Sequence, residues 1–311
     1  MREPFSTALI NLGSEHENLV VLDGDCSHST RTYRFADIYP QRFINAGIAE
    51  ANMIGMAAGM SRAGLLPIVC GFAAILVHRA AEQLVQSIAY SNANVKVVGH
   101  YAGFTAASEG APHHAISDLA LVRAIPDMTI LCPVDDEDVE DCLREAVETP
   151  GPVYLRLGRN PVPRRAGARW ITRNGYKKSE ERGSIVIFST GGMCDVALET
   201  TERLRASGLN ASLIAVRRIK PFPDALHALL ASSESELIVT IEDHSTTGGL
   251  GGAISEALGA HGKPLLRFGV PDTFTQSGTY SELLRGLKLT ASEIARNVTC
   301  LFRQKHTREM A

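Results

Sequence analysis

Residues 44–59 read INAGIAEANMIGMAAG and set one carboxyl group, that of Glu50, at the head of a run of alanines, methionines and glycines patterned as a buried helix. An acid in the first turn of a helix is favoured by the helix dipole. The apolar residues behind it also carry this one toward a place with little water, where a carboxyl gives up its proton less readily. Such a group can share a proton with a neighbouring base. A second concentration of reactive side chains lies at 100–114, HYAGFTAASEGAPHH, where His100, Tyr101, Glu109, His113 and His114 sit between two apolar stretches. Imidazoles, a phenol and a carboxyl can together bind hydroxyls and carbonyls and move protons near neutral pH. Their density in a connecting segment marks a site.

The elements that must position these groups follow from the hydrophobic pattern. Short β-branched runs at 19–23, 66–70, 95–99, 128–133 and 152–158 are separated by segments long enough for crossover helices, which predicts a mostly parallel sheet covered on both faces. Residues 159–182, rich in proline, glycine and basic side chains, read as a linker. A second set of strands at 184–189, 210–216, 235–243 and 264–269 follows, with helices at 193–207, 249–260 and 290–302, the last opened by a capping box of Thr290 and Glu293. The fold class is therefore α/β with two doubly wound domains, 1–158 and 183–311. Ligands of open parallel sheets bind beyond the carboxyl ends of the strands. That rule selects GDCSHST at 24–30, GFAAILVHR at 71–79, the 100–114 loop and GRN at 158–160.

Bulk properties narrow the class of function. The 311 residues carry 31 Lys and Arg against 34 Asp and Glu, a net charge of -3 that offers no electrostatic case for nucleic acid or an anionic membrane. No apolar run reaches the ~18 residues of a membrane span, and the first residues lack the pattern of a secretory signal. The six cysteines form no C-x-x-C pair, so free thiols in a reducing cytoplasm are expected. The GGLGG at 248–252 follows a strand and opens a helix but lacks the G-x-G-x-x-G spacing; it reads as a tight turn rather than a nucleotide site.

The stretch NAGIAEANMIGMAAGMSRAG resembles the G-I-x-E segment of the thiamine-diphosphate enzymes of the transketolase group. The resemblance continues in VVLDGDCSHST, in EGAPHHAISDLALVRAIPDMTILCP and in TIEDHSTTGGLGGAISEALG, and spans almost the whole chain. It implies a pyrimidine-binding domain followed by a transketolase carboxyl-terminal domain. Glu50 then matches the glutamate that shares a proton with the aminopyrimidine of thiamine diphosphate. Phe72 matches a position packing on that ring, and Ile75 and His78 fall where further aromatics are common. His113 matches a substrate-facing histidine of the D-G-x-T-H segment, here EGAPHH, so Glu109 replaces an aspartate that contacts a donor hydroxyl. Tyr101 stands where a substrate-facing histidine is usual, with His100 beside it. Arg2, Ser29 and Arg159 align with positions holding the distal anion, a phosphate or a sulfonate, for which a planar guanidinium is suited.

A G-D-G segment with its later asparagine, which holds magnesium and the diphosphate in full-length relatives, does not occur; DGD at 23–25 is in the wrong context. No metal ligand is therefore assigned to this chain. The resemblance implies a split transketolase whose companion subunit supplies the diphosphate domain, assembled as two pairs about a dyad, and moving a two-carbon ketol unit from ketose to aldose. A 2-oxo-acid dehydrogenase β-subunit, a deoxyxylulose-phosphate-synthase-like subunit and a non-catalytic paralogue are the alternatives.

Overall fold

The computed structural model describes residues 1–163, 170–179, 183–231, 235–259 and 262–309. In chain order the strands are β1 (Leu19–Asp23), β2 (Phe43–Asn45), β3 (Leu66–Phe72), β4 (Lys96–His100), β5 (Thr129–Leu131), β6 (Val153–Arg156), β7 (Trp170–Arg173), β8 (Tyr176–Ser179), β9 (Ile185–Ser189), β10 (Ala211–Val216), β11 (Arg218–Lys220), β12 (Leu237–Ser245) and β13 (Leu265–Val270). They form a seven-stranded sheet, β11-β5-β6-β4-β3-β1-β2, and a six-stranded sheet, β13-β12-β9-β10-β8-β7. Parallel pairing runs through both, with β11 antiparallel at the edge of the first and the β7–β8 hairpin antiparallel at the edge of the second.

Alternation along the strands sends side chains to opposite faces, and the cores follow it. Val20 and Leu22 join one apolar cluster, whereas Leu19 and Val21 pack with Phe5 and Leu9 of the first helix on the other face. In the second sheet Val186 and Phe188 belong to the same cluster as Val20 and Leu22, while Ile185 and Ile187 face a core of their own. One hydrophobic body thus runs through both domains. Strand β11, which follows β10 directly, reinforces this union by pairing with β5 of the first sheet.

The linker reading of 159–182 requires correction. Residues 164–169 and 180–182 lie outside the described residues, but β7 and β8 turn at Asn174-Gly175, with Gly175 at φ +83°, and extend the second sheet. The basic residues suggested solvent, yet Lys177 is buried and pairs with Asp138 at 3.0 Å. An Asn-Gly turn between short runs is a hairpin signal that outweighs composition. Strands β2 and β11 and the helices Asp224–Ala231 and Tyr280–Gly286 are additional to the elements read from the sequence; those that were read differ at their ends, as in the helices Met193–Ala206 and Leu250–Leu258, and position 260 lies outside the described residues. Thr290 and Glu293 make the capping contacts, at 2.6 and 3.4 Å, and the helix runs on as Ala291–Glu309. All six cysteines are free thiols, and no described helix is long and apolar enough to cross a membrane.

Candidate active site

Glu50 is the first residue of the helix Glu50–Arg62, 7% exposed, and Ala49 before it provides no side-chain cap. Its two carboxylate oxygens accept from Nη1 of Arg79 at 3.3 and 3.2 Å. A buried charge needs a partner, and Arg79 provides it from the end of Ala73–Arg79, the helix that leaves β3. Arg79 falls in one of the strand-end segments picked out by the sequence, where it has no assigned role; a cation about two helical turns beyond β3 is the available signal.

Beside this pair lies a cavity of about 850 Å³. Ile75, His78 and Arg79 line one wall, His113 and His114 another, and Pro271–Phe274 of the second domain a third. His78 is held in place, its Nδ1 against the Ala74 carbonyl at 2.5 Å and its Nε2 against Ser117 Oγ at 2.9 Å. It therefore offers ring surface more than a free nitrogen. His113 differs: its Nδ1 is buried and has no hydrogen-bond partner among the described residues. A buried, unpaired ring nitrogen is costly unless a ligand or water completes it.

Tyr101 links this cavity to a cationic end. It is 4% exposed and sits at φ +59°, a left-handed conformation that a non-glycine residue rarely takes, and one that clusters at functional sites. Its ring meets Phe72 edge-on at 4.7 Å, and Phe72 in turn lies 6.1 Å from the His113 ring. The guanidinium carbons of Arg2 and Arg159 stand 5.4 and 5.1 Å from the centre of the Tyr101 ring, within cation–π range. Arg2 Nη1 donates to the Tyr101 hydroxyl at 3.1 Å and to the backbone carbonyl of Ser29 at 3.0 Å. Asp23 shapes the Ser29 loop by accepting from Cys26 N, Thr30 Oγ1 and Thr32 Oγ1 at 2.7, 2.8 and 2.8 Å.

Arg2, Ser29, Phe72, Tyr101, His113 and Arg159 thus form one contiguous set, and Ile75 and His78 join it through the cavity. Two readings change. His100 faces away from the site: it is fully buried edge-on against Phe5 at 4.8 Å, and among the described residues neither ring nitrogen has a hydrogen-bond partner. As the last residue of β4 it shares the face of Val98, which packs on the first helix. Burial, helped by Arg2 and the terminal amino group, pushes its pKa down to about 3, so the ring is neutral. Glu109 turns its carboxylate to Arg159, 3.6 Å away, at the cationic end of the set.

The glycine turn of the second domain is closed. Glu242 accepts from Leu250 N at 2.6 Å and from Gly251 N at 2.8 Å, so a protein carboxylate occupies the helix N-terminus where an anion would bind. A Cβ on Gly249 would stand 2.1 Å from Glu242 Oε2, which explains the glycine. Among the described residues no group of three acidic, histidine or cysteine side chains could hold a metal ion.

Family models for the "Transketolase, pyrimidine binding domain" and the "Transketolase, C-terminal domain" match residues 1–164 and 175–294. A putative transketolase C-terminal section of Methanocaldococcus jannaschii is 38% identical over 96% of this chain and 95% of its own length. The 6-deoxy-6-sulfo-D-fructose transketolase subunit SqwH of Clostridium sp. (strain MSTE9) is 35% identical over 95% of this chain and 92% of its own. Among solved structures, one described as a split gene transketolase, inactive beta4 tetramer, superposes with a TM-score of 0.82 at 36% identity and covers 96% of both chains.

Proposed function

The chain belongs to the transketolase family, and from that premise we propose that it is the carboxyl-terminal subunit of a split, thiamine-diphosphate-dependent enzyme that moves a two-carbon ketol unit from an anionic ketose to an aldose. The observation that carries this reading is Tyr101, which touches the aromatic wall of the cavity with its ring edge and the two arginines with its face and hydroxyl. A substrate with a reacting end and a charged end would span that distance.

The residues present fit the pyrimidine end of the cofactor: a buried carboxyl at Glu50, a partly open Phe72 ring, and the Ile75 and His78 walls of the cavity. Thiamine diphosphate supplies, when bound, a nucleophilic carbon and an electron sink. Glu50 would hold or return a proton on the pyrimidine side of the bound group, and its burial at the start of the helix Glu50–Arg62 would limit water there. The unpaired Nδ1 of His113 takes or gives a proton on the substrate side. Arg2 and Arg159 bind the distal anion, with Glu109 adjusting the charge Arg159 presents. Magnesium and the diphosphate are assigned to a companion subunit, with two such pairs in the assembly; the relatives named as a C-terminal section and as a transketolase subunit support this division of labour.

Co-expression with the chain encoded beside it tests the proposal. Thiamine diphosphate and magnesium should bind the mixture and neither chain alone, and the mixture should transfer ketol units from ketoses ending in phosphate or sulfonate. Turnover by this chain alone would overturn the split.

A further inference from the structure

The loop between β4 and the helix Asp118–Ala124 carries Tyr101, Glu109 and His113, yet it contains only two short 3-10 turns, Ala107–Glu109 and Ala111–His113. A connection of this length without lasting secondary structure is ordinarily mobile. Side chains that bind or react must be held to within about half an ångström. Within the loop the bonds are mostly between near neighbours, such as Ala107 N to the Phe104 carbonyl and His113 N to the Gly110 carbonyl, both at 3.0 Å; longer ties are Gly103 N to the Ala115 carbonyl at 3.2 Å and His114 Nε2 to the Ala107 carbonyl at 3.1 Å.

The first domain anchors the loop through Ala102 N on the Leu157 carbonyl at 3.0 Å, Arg159 N on Thr105 Oγ1 at 3.1 Å, Arg2 on the Tyr101 hydroxyl at 3.1 Å and His78 on Ser117 Oγ at 2.9 Å. A further set of contacts, on 114–116, comes from or through the second domain. Thr275 Oγ1 lies 2.5 Å from His114 Nδ1, and Ser245 N donates to the Ile116 carbonyl at 2.7 Å. Arg156, 2% exposed, donates from Nη2 to the Ala115 carbonyl at 3.1 Å while its Nη1 and Nε bind Asp243 and Asp118 at 2.6 and 2.8 Å. Asp118 also accepts from the Tyr154 hydroxyl at 2.8 Å. Gly103, at φ +62°, leaves no space toward Asp243, whose Oδ2 would be 2.2 Å from an added Cβ. The carbonyl partner at Nε2 assigns the hydrogen of His114 to that nitrogen, so Nδ1 accepts from the Thr275 hydroxyl. Burial lowers the His114 pKa, in keeping with a neutral strut.

We propose that Thr275 and Asp243 are positioning residues: the second domain, through the Thr275–His114 hydrogen bond and the Asp243–Arg156 ion pair, locks the 101–117 loop in the geometry that presents Tyr101, Glu109 and His113. This assigns the second domain a part in turnover although it supplies none of the three. The kinetic arm of the test rests on the proposed ketol transfer; the exchange arm does not.

Thr275→Val removes the hydroxyl and keeps the shape, and Thr275→Ser restores the hydroxyl. In the isolated full chain, amides of 107–116 in Thr275→Val should exchange with deuterium about tenfold faster than in wild type or Thr275→Ser, while those of β3 and β9 are unchanged. In the complex with its companion, kcat should fall about tenfold with cofactor affinity and assembly preserved, and Thr275→Ser should recover it. Asp243→Asn should act in the same direction on the same amides. Unchanged exchange at 107–116 in Thr275→Val, or faster exchange spread evenly over both sheets, overturns the proposal. Absence of ketol transfer in the wild-type complex would count against the proposed activity alone, since the exchange result stands apart from it.

Discussion

Two buried carboxylates at the starts of two helices show how one architecture serves opposite ends. Glu50 opens the helix Glu50–Arg62 in the first domain; Glu242 reaches from β12 to the helix Leu250–Leu258 in the second. The Glu242 oxygens are each taken by a backbone N–H, and the glycines beside it leave no room for anything else. Glu50 accepts instead from the exposed side chain of Arg79, at 3.3 and 3.2 Å, next to a cavity of about 850 Å³. A sealed carboxylate serves stability. The one held by an exposed arginine beside a cavity is the one to which we assign proton transfer.

Substitutions can break this contrast, and the largest effect is expected at Glu50. Glu50→Gln should lower ketol transfer by about 10²- to 10⁴-fold, the range for loss of a proton-transferring group, while size-exclusion chromatography shows assembly intact. Equal transfer by the variant would place Glu50 with Glu242 as a structural group. Gly249→Ala should cost about 3 kcal/mol of stability in urea unfolding, since the new Cβ would meet Glu242 Oε2 at 2.1 Å and His244 Nδ1 at 2.6 Å.

Glu242 also gives the second domain a pH signature. Burial pushes its pKa up from 4.5 to about 7 against the pull of the Gly251 and Leu250 N–H groups. The folded protein therefore holds this proton more tightly than the unfolded chain. Its contribution is fullest below about 4.5 and is lost as pH rises through about 7. Glu242→Gln should remove that slope, about 2 kcal/mol relative to wild type between pH 5 and 8, measured as unfolding free energy against pH; parallel profiles would refute it. The smallest effect is expected at the cationic end. Tyr101→Phe deletes the hydroxyl that accepts from Arg2 and should raise KM for an anionic ketose about fivefold with kcat little changed, as for one lost hydrogen bond.

Much of this was readable in the chain before any coordinates. The parallel strands and the loops that end them were legible because β-branched runs and turn residues are local signals. The hairpin at 170–179 is masked by the basic, proline- and glycine-rich composition around its Asn-Gly turn. The place of His100 is not legible from its neighbour Tyr101, because adjacency in sequence says nothing of direction: successive strand residues face opposite ways, and the first helix covers the face that His100 shares with Val98. Thr275 could not have been found, since 161 positions separate it from His114 and the pairing exists only where the two domains meet.

Residue type and order along the chain were enough for the family and the two α/β domains, and they nominated Glu50, Phe72, Tyr101, His113, Arg2 and Arg159 as candidates for the site. Only the tertiary structure decided which partner each group has: Arg79 on Glu50, Glu109 on Arg159, Glu242 across its own helix start, and the second domain against the loop of the first. The reason is physical. Local patterns are set by the chain's periodicity and turns, whereas desolvation and pairing depend on which distant surfaces close over a group, and those surfaces exist only after the sheets have packed.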